Sequence, residues 1–173
     1  MVGRIYSIAR WTALFGGLIL CLMALLMVLS IGGRSLIAVG LAPIPGDFEV
    51  VELATGVVIF FVLPWCYVRG GHATVDLFYT HMSPRIKKSV DVLSDISMLV
   101  LWLILTWLLW QGLLEKREYG ETTFLLQIPI WWAYAFCMIG AVIGCLTYLA
   151  TTLVQLGLAS FPEGWSTEAT GGH

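Results

Sequence analysis

The stretch WTALFGGLILCLMALLMVLSIGG, residues 11–33, decides the fold. It carries no charged side chain from Trp11 to Gly33. A hydrocarbon core about 30 Å thick needs about 20 such residues in a helix. A cleaved signal peptide has a shorter apolar core, about 7–15 residues, followed by a small-residue cleavage site. No Ala-x-Ala site follows this run closely. It therefore reads as a retained transmembrane helix.

Three further runs repeat the pattern. The second covers about 48–68 and is free of charge after Glu52. The third covers about 96–114, with a helix that begins a turn earlier, near Asp91, as a variant. The fourth covers about 129–157, inside the uncharged stretch from Thr122 to Phe161. Pro129 suits its first turn, where a missing N–H costs no hydrogen bond. A continuous helix over that span would measure roughly 43 Å, so tilt or extension into the headgroups is expected. Composition agrees: of 173 residues, 59% are hydrophobic and only 12% charged, and the mean hydropathy is +0.90. Soluble domains carry about 25% charged residues. The expected fold class is an all-α integral membrane protein with four transmembrane helices. Residues 1–161 form a single four-helix membrane domain, and 162–173 read as a disordered cytoplasmic tail. No internal repeat is visible.

Orientation follows from the basic residues. With the N-terminus inside, Arg4, Arg10, Arg69, Arg85, Lys87 and Lys88 are cytoplasmic, and Arg34, Lys116 and Arg117 are outside. That balance predicts N-in, C-in. Trp11, Trp65 and Tyr67 then form the inner aromatic belt, and Trp110, Trp131 and Trp132 the outer one. Between spans two and three, Val75, Phe78, Tyr79, Met82 and Ile86 recur at helical spacing. A short interfacial helix and a two-piece connection broken at Pro84 both fit.

Buried ionisable groups usually mark function in a membrane bundle, because each costs roughly 2.5–3.5 kcal/mol to insert. The middles of these spans have none. Glu52, Asp91 and Asp95 come closest, at span ends. They read either as carboxylates favoured by a helix dipole or as halves of ion pairs. A small proton-coupled exporter lacks its mid-span carboxylate here. A haem-bearing anchor of a redox enzyme would need histidines within spans, whereas His72, His81 and His173 fall in loops or tail. A thiol oxidase would need paired cysteines. Cys21, Cys66, Cys137 and Cys145 form no Cys-x-x-Cys and read as packing residues. No catalytic, metal or cofactor site is expected. The net charge of -2 argues against a general nucleic-acid binder. Packing surface remains. Ala133, Cys137, Gly140, Gly144 and Thr151 form a small-residue stripe in span four, and Ala13, Gly17, Cys21 and Ala24 form another in span one. Such stripes let helices approach closely, within this bundle or against a partner.

The polar islands between spans read Pro45-Gly46-Asp47-Phe48-Glu49 with Glu52, then Arg69-Gly70-Gly71-His72-Ala73-Thr74-Val75-Asp76 with Pro84-Arg85, then Gly120-Glu121 with Ile128-Pro129 and Trp132. That order resembles the small membrane subunit of tripartite ATP-independent periplasmic (TRAP) transporters, over roughly Arg10 to Leu156. Gly-Gly-His-x-x-Val-Asp is its most specific segment. The resemblance implies a multi-pass protein of the bacterial inner membrane, a large membrane subunit that carries substrate and sodium, and a periplasmic substrate-binding protein. It implies organic acids as cargo and a non-catalytic scaffold role for this chain. The anchor subunit of a redox enzyme is the alternative. The matched positions are interface candidates: Pro45 and Gly46 in the outer turn, Glu49 and Glu52 beside it, and Arg69, Gly71, His72 and Asp76 in the inner turn. Glu118 and Glu121 join them on the outer surface, and Gly140 and Gly144 on the stripe. For the inner turn, a plain solvated loop competes with this reading.

Orientation is directly testable. In a background cleared of native cysteines, Ser83→Cys should resist an impermeant thiol reagent in intact spheroplasts; rapid labelling there would invert the topology.

Overall fold

A computed structural model describes residues 2–37, 40, 42, 44–69 and 84–155. The expectations placed on Gly70, Gly71, His72, Asp76, the interfacial stretch before Pro84 and the tail 162–173 lie outside them. Four α-helices make up the described chain: α1 (Val2–Ser35), α2 (Asp47–Val68), α3 (Pro84–Tyr119) and α4 (Trp131–Gln155). All four are long and apolar enough to cross a membrane. They alternate in direction. One end of the bundle, the hairpin end, holds the α1–α2 and α3–α4 connections. The other, the terminal end, holds the start of α1 and the close of α4.

Two helices outrun the apolar stretches that identify them. The third span was expected over 96–114, yet α3 runs from Pro84 to Tyr119. Charged residues mark where a helix leaves hydrocarbon, not where its backbone hydrogen bonds stop. Pro84 opens the helix, where proline is tolerated. Lys116 and Arg117 fall in its last turn, where the dipole favours cations. α1 likewise begins well before Trp11. The start expected at Pro129 moves to Trp131, because Pro129 pairs with Thr122 in an isolated antiparallel bridge. The Pro129 carbonyl then accepts the Trp132 N–H at 3.2 Å.

α4 is the centre of the bundle and packs against all three other helices. Half of its apolar window is buried, against 11–17% in the others. Its small residues make this possible. A Cβ on Gly140 would lie 2.7 Å from the Phe60 carbonyl oxygen of α2. Pro64, inside α2, has no N–H to give that carbonyl four residues back. The carbonyl deprived of its helical donor is thus the one that Gly140 leaves room for. A Cβ on Gly144 would run into the Trp102 indole of α3. Gly56 sets α2 against the Cys137 sulfur at 3.4 Å from its would-be Cβ, and Val57, Phe61 and Cys137 form a buried cluster there.

Trp102 is the largest wedge in this core and is 3% exposed. Its Nε1–H donates to the Ala141 carbonyl at 2.8 Å. Its ring lies 5.5 Å from Phe60 and 5.1 Å from Tyr148. Tyr148 in turn lies 4.3 Å from Tyr67. This ladder of four rings joins α2, α3 and α4. α1 rests on α2 through Gly16, whose Cβ would meet Val62 at 3.0 Å and Phe61 at 3.1 Å. The other small-residue stripe, Ala13, Gly17, Cys21 and Ala24, does not face the core: Cys21 and Ala24 are exposed, and a Cβ on Gly17 would meet nothing within 4 Å.

Gly144→Leu should cost about 3 kcal/mol or more, since the added side chain must displace a packed indole. Trp102→Phe keeps most of the ring but loses one interhelical hydrogen bond, worth about 0.6–2 kcal/mol in lipid. Thermal unfolding in detergent should rank Gly144→Leu well below Trp102→Phe and the parent; equal melting of all three would contradict this core.

Candidate functional site

Among the described residues, the charged side chains sit toward the two ends of the bundle. At the terminal end each helix contributes to a buried group. The Tyr6 hydroxyl of α1 pairs with Thr151 Oγ1 of α4 at 3.3 Å. The Tyr67 hydroxyl of α2 donates to Asp95 Oδ1 of α3. Tyr148 of α4 is buried between Trp102 and Tyr67. Asp95 is 7% exposed, and α3 starts at Pro84, three turns before it. The helix-dipole reading of Asp95 therefore fails. It is an interhelical acceptor held by a tyrosine of α2.

At the hairpin end two carboxylates work in the same way. Ser30 of α1 donates to Asp47 Oδ2 at 2.5 Å. The other oxygen, Oδ1, accepts the Phe48 N–H at 2.8 Å, so Asp47 stitches α1 to the first turn of α2. Glu49 reaches the α3–α4 connection. Its Oε1 accepts the Leu125 N–H at 2.6 Å, and its Oε2 accepts the Leu126 N–H at 2.9 Å. The connection is itself folded, with Thr123 N–H to the Ile128 carbonyl at 2.9 Å and Ile130 N–H to the Glu121 carbonyl at 3.0 Å. Lys116 closes its base by an ion pair with Glu121 at 2.8 Å. Gly46 adopts φ 80; a Cβ there would lie 2.5 Å from Leu126. The glycine satisfies both the left-handed turn and the close approach of the loop.

The candidates therefore separate. Glu49, Glu121, Gly46, Gly140 and Gly144 are engaged within the chain. Pro45, Glu52 and Glu118 are exposed. Arg69 is exposed and lies 5.3 Å from the Trp65 ring centroid. Among the described residues, no group of three or more His, Cys, Asp or Glu side chains could hold a metal ion. What the arrangement can do is fasten helices at both ends and offer apolar sides to its surroundings. On α1, Leu14, Leu18, Leu22, Leu25 and Leu29 are exposed, and on α3 Leu93, Ile104 and Leu108 are.

The sequence matches the family "Tripartite ATP-independent periplasmic transporters, DctQ component" over residues 23–157. The chain belongs to this family. A DctQ component is the small membrane subunit of a TRAP transporter, and this one is a multi-pass membrane protein. No curated protein and no solved structure matches the chain. The match spans the aromatic ladder, both hairpin-end carboxylate clamps and Asp95, and leaves Tyr6 outside it. Two sequence signals could have shown these features. Asp95, Trp102, Thr106 and Leu109 share one seam of α3, and Cys137, Ala141, Gly144, Tyr148 and Thr151 share one seam of α4. Each seam carries polar groups among apolar ones.

Glu49→Ala should remove amide-exchange protection at Leu125 and Leu126 while leaving the helices protected. Glu49→Gln keeps one acceptor oxygen and should lose part of that protection. Unchanged exchange at both amides would show that the carboxylate does not hold the loop.

Proposed function

We propose that this DctQ component is the small, non-catalytic scaffold subunit of a sodium-coupled TRAP secondary transporter in the bacterial inner membrane. In this reading residues 1–161 form the membrane domain, with both termini cytoplasmic. A large membrane subunit carries organic acid and sodium, and a periplasmic binding protein delivers the acid. The observation that carries this reading is the placement of polar groups. Asp47, Glu49 and Asp95 sit toward the bundle ends and are bonded to other parts of the same chain. The apolar stretches between them carry no Asp, Glu, His, Lys or Arg. A cargo pathway needs polar groups across the membrane, so a pathway belongs to another chain.

The exposed apolar sides of α1 and α3 are proposed as surfaces for the large subunit. Their breadth suits a frame that a second membrane protein leans on. For the binding protein, the exposed Glu118 and its neighbour in α3, the exposed Glu115, are the proposed contacts, since Glu49 and Glu121 are spent internally. Arg69, Gly71, His72 and Asp76 are proposed as contacts on the cytoplasmic side. No observation favours the redox-anchor alternative.

Mild detergent extraction of the tagged chain should bring down a much longer membrane protein in constant ratio. Gly140→Leu and Gly144→Leu should lower this yield only as far as they unfold the chain itself, because both glycines are used inside the bundle. A chain that always purifies alone from its native membrane would contradict the scaffold reading.

A further inference from the structure

The α3–α4 connection carries an apolar tip that none of the clamps requires. Phe124 is 88% exposed and Leu125 60% exposed, although both are large hydrophobics. No charged residue occurs from Thr122 to Ile130. The tip is nonetheless fixed. Its backbone is closed by the Thr122–Pro129 bridge and by the Thr123–Ile128 and Glu121–Ile130 hydrogen bonds. The Thr123 hydroxyl accepts the Ile128 N–H at 3.1 Å. Glu49 then holds the tip's own amides.

Glu49 also sets its depth. It lies in the first turn of α2, a helix of 22 residues, which is about 33 Å long and so close to the thickness of the hydrocarbon core. A loop bonded to that turn is held level with the end of a helix of membrane length. Its neighbours have the make-up of that boundary. Tyr119 and Trp132 are 71% and 52% exposed, and the Arg117 guanidinium lies 5.8 Å from the Trp131 ring centroid. Aromatic rings and arginines gather at headgroup level because each has an apolar body and a polar tip.

We propose that Phe124 and Leu125 form a preset apolar wedge inserted into the bilayer where headgroups meet acyl chains. Its partner is the lipid surface itself. The wedge anchors the hairpin end at a fixed depth, and Glu49 and Gly46 keep it pointing there. This assignment depends only on the chain's being embedded in a bilayer. It can fail while the scaffold reading stands, and the reverse holds too.

The test is power-saturation spin-label spectroscopy in lipid nanodiscs, on the chain co-reconstituted with its large membrane subunit. Nitroxides are placed at Phe124→Cys and, separately, Leu125→Cys, with Cys21, Cys66, Cys137 and Cys145 replaced. Glu118→Cys serves as the water-facing reference. Oxygen concentrates in lipid, and a nickel chelate stays in water. The wedge predicts greater relaxation by oxygen than by the chelate at 124 and 125, with the opposite order at 118. Chelate-dominated relaxation at 124 and 125 would place the tip in water, where a soluble protein could reach it. Low access to both reagents would place it against the large subunit. Either result overturns the proposal.

Discussion

Everything in this bundle depends on how closely α3 and α4 approach at Gly144. In lipid, burying an apolar side chain between helices gains little, because the alternative surroundings are also apolar. Association must come from dense packing and from polar groups that find partners. Trp102 supplies both: its indole fills the space that Gly144 leaves, and its N–H reaches the Ala141 carbonyl. The same ring touches Phe60 of α2 and Tyr148 of α4, so one side chain sets the spacing of three helices. Gly140 repeats the device one turn away, against a carbonyl that Pro64 cannot serve. A side chain at either glycine would push these backbones apart and loosen the ladder that runs to Tyr67.

The polar fastenings are consequences of this geometry. Once α2, α3 and α4 are locked, Tyr67 lies against Asp95, and Asp47 and Glu49 come within reach of α1 and the α3–α4 connection. Each buried carboxylate is used to hold one element to another. Such a chain has helices fastened to one another and wide apolar flanks. The middles of its spans carry no Asp, Glu, His, Lys or Arg. These features suit the proposed scaffold role, and they agree with membership of the DctQ family.

The four spans were legible because charge-free runs of membrane length admit few other readings. Helix ends were less legible. Residues 84–95 of α3 are polar enough to look like a loop, and nothing local says that the helix hydrogen bonding continues through them. The glycine stripe of α4 was visible as a stripe, but whether it served this bundle or a partner depended on what stood opposite. Trp102 stands opposite Gly144, and only the register of α3 against α4 reveals that. Glu49 illustrates the other limit. A carboxylate opening a helix looks like a dipole partner, and its hydrogen bonds run to residues 76 and 77 positions away. Gly17 and Cys21 showed the same small-residue pattern as α4, yet they face outward, because the pattern records room for approach and does not say what approaches.

As proposed, this chain is a frame with no pathway of its own. Sealed liposomes carrying a sodium gradient test it most directly, with the substrate-loaded binding protein outside and either this chain alone or this chain together with the large membrane subunit. A frame should give no sodium-dependent uptake by the chain alone, and uptake only when both membrane proteins are present. Robust uptake through this chain by itself would contradict it.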